Sequence, residues 1–118
     1  MYPNDVIMKQ FLVTYHATAA DMADSMNTPP EERERSIEAW KAWANEVGAS
    51  LVDFGNPCIQ SRRILPAGGT AGSTSEIIGY AMVQADNMDA AQKLFDAHPH
   101  LNWTEACGIE LHEIMPLM

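Results

Sequence analysis

The stretch "EIIGYAMVQ" (76–84) restricts the possible folds more than any other. Its β-branched and aromatic residues read as a strand. Side chains in a strand point alternately to the two faces of a sheet. Ile77, Gly79, Ala81 and Val83 therefore share one face, and Ile78, Tyr80 and Met82 the other. Both faces are apolar or small, so both need cover. Any fold must supply one layer of helices and then something more.

The remaining patterns supply one layer only. "KQFLVTYH" (9–16) reads as a strand in which Phe11, Val13 and Tyr15 alternate with Leu12, Thr14 and His16. "TAADMADSM" (18–26) reads as a short helix capped by Thr18, with Met22 and Met26 on one side. In "TPPEERERSIEAWKAWANEVG", Thr28 and Glu31 have capping-box spacing and Pro29 stands at the first helical position. Ile37, Trp40, Ala44 and Val47 then form an apolar stripe, with Trp43 beside it, and Gly48 ends the helix. "ASLVDFG" (49–55) is a second strand, "SRRIL" (61–65) a short extended piece, and "AGGTAGSTS" (67–75) a flexible hairpin loop. That glycine run has no lysine and opens no helix, so it is not a phosphate loop. "DNMDAAQKLFDA" (86–97) is a helix capped by Asp86 or Asn87, with Met88, Ala91, Leu94 and Phe95 facing inward. "CGIELHEIMP" (107–116) is the last strand.

The order is β-α-β, loop, β-α-β. Right-handed crossovers place both main helices on one face of a four-stranded sheet. This is an α+β, ferredoxin-like βαββαβ sandwich. No element is left for the second face, so the expected partner is a second copy, packed sheet to sheet with two-fold symmetry.

Charge and composition exclude other classes. The net charge of −9 argues against nucleic acid, which needs a basic patch, and the one basic doublet, Arg62-Arg63, is isolated. No apolar run reaches the roughly 20 residues of a membrane span. The N-terminus lacks the pattern of a secretory signal. Met8 opens "MKQFLVTY", so residues 1–7 read as an extension and 8–118 as a single domain. Cys58 and Cys107 lack motif spacing and read as free thiols of a cytoplasmic protein.

"LVDFGNP", "IIGYAMVQADNMDAA" and "IELHEIMP" together resemble the YCII-related family of the dimeric α+β barrel superfamily, over about residues 8–118. The resemblance implies a homodimeric α+β barrel of undefined activity, with enzymatic function proposed for members from a His–Asp pair in a cleft. In some members that histidine lies on the first helix. Here residues 29–47 contain none, and the corresponding positions hold Ile37, Glu38 or Trp40. Asp53 matches a polar position just before "GNP".

The candidate chemistry sits near strand ends. In "AHPHLNW" (97–103), Pro99 stops the helix, and His98 is read as its C-terminal cation, favoured there by the helix dipole. His100 is then expected to face a cleft also bordered by Asp53, the two being the candidate catalytic pair. Asp53 also suits a turn, bonding to backbone amides. His16, Tyr80, Trp103 and Glu110 are candidate ligand-binding residues, and Glu110 shares a face with His112. The H-x-H spacing of His98 and His100 lacks a flanking ligand pattern, so neither metal nor organic cofactor is expected. Two functions follow: a small cofactor-independent enzyme using acid–base groups in the cleft of a homodimer, or a non-catalytic module for small-ligand binding or assembly.

Overall fold

A computed structural model describes residues 8–117 of the chain. The expected residue 1–7 extension lies outside the described residues. The architecture is α+β. Strand β1 (Lys9–His16) is followed by helices α1 (Ala19–Ser25) and α2 (Pro30–Val47) and by strand β2 (Leu51–Asp53). Strands β3 (Arg62–Ile64) and β4 (Thr70–Gly72) form a separate hairpin. Strand β5 (Ile77–Ala85), helix α3 (Met88–Lys93) and strand β6 (Gly108–Glu113) complete the chain. The main sheet is ordered β2-β5-β1-β6, and every neighbouring pair is antiparallel.

Strand register explains the core. Phe11 pairs with Val83, Val13 with Ala81 and Tyr15 with Gly79. These residues face the helices and are buried with Trp43, Ala91 and Phe95. The small residues at 79 and 81 make room for Tyr15 and the α2 tryptophans. The Trp43 indole N–H donates to the Leu94 carbonyl at 2.7 Å, tying α2 to the end of α3. The opposite face carries Leu12, Thr14, Tyr80, Met82, Glu110 and His112, and no described helix lies over it.

Four local expectations change. Helix α2 begins at Pro30, and its N-cap is Pro29 (ψ 150°), not Thr28. The ring of Pro30 forces the preceding residue into extended geometry, which removes the capping box. Ile37 is 54% exposed, and Met22 and Met88 also lie at the surface, so the helical stripes are narrower than their spacing suggests. Helix α3 ends at Lys93 and gives way to turns. "AGGTAGSTS" is not all loop, since Thr70–Gly72 pairs in register with Arg62–Ile64. No described helix is long and apolar enough to cross a membrane.

Candidate functional site

Two groups of side chains occupy opposite sides of the β1 end of the sheet. The first surrounds a cleft of about 410 Å³ on the helix side. Tyr15 and Gly79 form its floor, Ile37 and Trp40 of α2 one wall, and Phe54 and Trp103 its rim. The 54–57 segment is laced to β5. The Tyr80 amide donates to the Asn56 carbonyl at 3.3 Å, and the Cys58 amide to the Ile78 carbonyl at 2.9 Å. Gly55, at φ +77°, lets the chain pass against the Tyr80 carbonyl. Trp103 follows the 3-10 turn Pro99–Asn102. The Cys107 thiol donates to the His100 carbonyl at 3.0 Å, and the Thr104 hydroxyl to Asp21 Oδ2 at 2.9 Å, which holds this loop against α1.

The two histidines of "HPH" lie behind the aromatic wall. His98 is fully buried, with its ring centroid 4.4 Å from both Trp40 and Trp43 in edge-on contact. The His100 backbone N–H donates to His98 Nδ1 at 3.0 Å. A neutral His98 therefore carries its proton on Nε2 and donates it to the Tyr15 hydroxyl at 3.4 Å. Burial, then the neighbouring His100, push the His98 pKa down to about 3. Burial alone pushes the Tyr15 phenol above its ordinary value. His98 is thus an uncharged cap for the 3-10 turn and not the cation expected at a helix end. A charge cannot be solvated among these rings.

His100 is 3% exposed, and its Nε2–H donates to the His16 carbonyl at 3.0 Å. Burial lowers its pKa, and bonds to the His16 and Gly108 carbonyls oppose that shift. Asp53 is exposed at the end of β2, and its Oδ1 accepts from the Gly55 amide at 2.8 Å in a turn. Neither residue lines the cleft, and among the described residues no hydrogen bond or ion pair joins them. The expected His100–Asp53 pair is therefore not assembled. Asp53 shapes the turn, and the His100 imidazole anchors the loop to β1. Trp103 reaches the cleft, and Tyr80 borders it through its backbone, where its carbonyl meets Gly55, its side chain standing on the uncovered face with His16 and Glu110.

That other side holds the second group. Thr14 Oγ1 lies 2.8 Å from His16 Nε2 and 3.3 Å from His112 Nε2. Glu110 Oε1 lies 3.6 Å from His16 Nε2 and 3.4 Å from His112 Nε2. Pairing Thr14 with Glu110 and Leu12 with His112 puts one hydroxyl, one carboxylate and two imidazoles on the uncovered face.

No family model matches the chain, and no curated protein does either. Sequence reasoning missed Tyr15, Trp40 and Phe54 as cleft residues. The first two fit core patterns. Phe54 carried a signal, being a large aromatic residue at the end of the expected strand, between a turn-forming Asp and Gly.

Proposed function

We propose that the chain is a YCII-like protein with a ferredoxin-like sandwich, which assembles as a homodimer of the dimeric α+β barrel type and binds a small, largely apolar molecule in its cleft. The strand order β2-β5-β1-β6 supports the fold reading. The cleft carries the functional reading. Its aromatic residues come from β1, α2 and the flanking loops, and among the described residues its lining contains no Asp, Glu or His and one charged residue, Lys41. Such a concave apolar site with a few polar groups suits ligand binding better than proton transfer. Neither metal nor organic cofactor enters this reading. A reducing cytoplasm suits the free thiols of Cys58 and Cys107.

The probe is the fluorophore 8-anilinonaphthalene-1-sulfonate, with Trp40 and Trp103 as energy-transfer donors. One saturable site per chain and a raised melting temperature are expected. Trp103→Ala should weaken binding about tenfold, the loss of roughly 1.4 kcal/mol of aromatic contact. Absence of saturable binding by the native protein would overturn the reading.

The uncovered sheet face supports the dimer. Leu12 there is 38% exposed, and Tyr80 and Met82 are half-buried beside it. Light scattering should give about twice the chain mass of 13.0 kDa. Met82→Asp should yield monomers or unfolded chains, because an interface would bury an unpaired charge. A native monomer at micromolar concentration would count against it.

The grouping of Thr14, His16, Glu110 and His112 favours a second, enzymatic reading, in which the space between two sheets is the site of acid–base chemistry. Glu110→Gln would then abolish turnover, and Trp103→Ala would leave it intact.

A further inference from the structure

The β3–β4 hairpin belongs neither to the core nor to the cleft. Its strands pair only with each other. From Ile59 to Glu76 every residue except Leu65 is exposed, including Ile59 at 96% and Ile64 at 81%. An isolated two-stranded hairpin is at best marginally stable in water and needs packing from another layer. The described chain provides none. Its radius of gyration is 16.4 Å, against about 13 Å for a compact domain of this length. The excess fits an arm held away from the body.

The charge of this arm is opposite to that of the rest. Residues 54–75 contain Arg62 and Arg63 and no acidic residue, so all 16 carboxylate side chains of the chain lie elsewhere. Among the described residues neither arginine has an ion-pair partner. The rest of the chain is therefore more acidic than the net −9 of the whole. A basic, apolar-tipped arm and an acidic body on one chain are complementary surfaces. Two copies can satisfy both at once by a reciprocal two-fold exchange, in which each arm lies on the other body.

We infer that the β3–β4 hairpin is an assembly arm that inserts against the acidic body of a second copy of this chain, Arg62 and Ile64 on one face of the arm, Arg63 on the other and Ile59 at its base. The inference rests on the homodimer reading and adds a second contact to it, separate from the sheet face. Arg62 and Arg63 thereby supply orientation and salt sensitivity, and the isoleucines supply apolar burial.

The test measures the dimer dissociation constant by sedimentation for the native chain, for Arg62→Glu with Arg63→Glu, and for Ile64→Asn. All three positions are exposed, so the folded spectrum of each variant should match the native one. Each variant should raise the dissociation constant about tenfold or more. Raising salt from about 0.05 M to about 0.5 M should weaken the native dimer and tighten that of the double-glutamate variant, whose arm repels the acidic body. A photo-crosslinking phenylalanine analogue placed at position 64 should give a covalent dimer of the otherwise native chain. This last measurement decides the matter even where a variant fails to fold. Dimers with unchanged dissociation constants and no cross-link would overturn the arm while leaving the sheet-face dimer standing. A native chain that stays monomeric would overturn both.

Discussion

Gly55→Ala should cost the fold a large part of its stability. Gly55 has φ +77°, and a Cβ there would overlap the Tyr80 carbonyl, which is backbone and not the end of a flexible side chain. The hydrogen bonds from Tyr80 to Asn56 and from Cys58 to Ile78 hold the two segments together on either side of the overlap. Relief requires breaking that lacing and opening the cleft floor. The expected cost is about 3 kcal/mol or more, a large part of the stability of a domain this size. Gly48→Ala is the control. Gly48 also has positive φ (+56°), but nothing lies within 4 Å of the position a Cβ would take. Its cost should be about 1–2 kcal/mol, from backbone strain alone. Denaturant midpoints of the two variants separate the terms, and equal costs would refute the overlap argument.

Stability should fall as the pH drops from about 6.5, the ordinary histidine value, before carboxylates begin to protonate. The direction follows from His98. Its folded pKa is about 3, whereas in the unfolded chain it takes up a proton near pH 6.5. Between these values the unfolded state binds more protons than the folded state, so acid favours unfolding. The stabilisation is fully present above pH 6.5 and is lost at about 1.4 kcal/mol per pH unit below it. At pH 5 the loss from His98 alone is about 2 kcal/mol. His100, also lowered chiefly by burial, acts in the same direction. Urea titrations at pH 7.5 and 5.0 measure the difference. His98→Gln should be less stable at pH 7.5 and show a flatter dependence, whereas an unchanged slope would mean that His98 is not the group involved.

Strand β1, the body of α2, strand β5 and strand β6 were legible because each buries one face and its pattern shows the period of that burial. Phe11, Val13 and Tyr15 needed only alternation to be placed inside. The β3–β4 hairpin was half hidden, because Thr70, Ala71 and Gly72 are small and bury nothing. Its pairing rests on backbone bonds that no side-chain pattern reports. In "HPH" the sequence pattern does not show the roles of the two rings. An imidazole in a loop suggests solvent or a cleft, yet both rings are buried, and which way a four-residue turn faces depends on packing over 80 residues away in sequence, at Tyr15 and His16. One signal was available. Like Asn or Asp before a turn, a histidine just before Pro can cap the amide two residues on, as His98 does for His100. The Thr14, His16, Glu110 and His112 group could not be assembled in full, since its register requires knowing that β6 lies beside β1.

The sheet order also sets when the molecule can fold. The central strand β1 is made early, yet its two neighbours come late: Lys9 waits for Ala85, and Phe11 for Glu113. Such distant pairings must close large loops before they gain any stabilisation, and chains dominated by them fold slowly. During synthesis the apolar β1 therefore stays unpaired on both edges until most of the chain has emerged. A nascent chain stopped before β6 presents an open strand edge beside Phe11 and Val13, the condition under which chains join one another instead of folding.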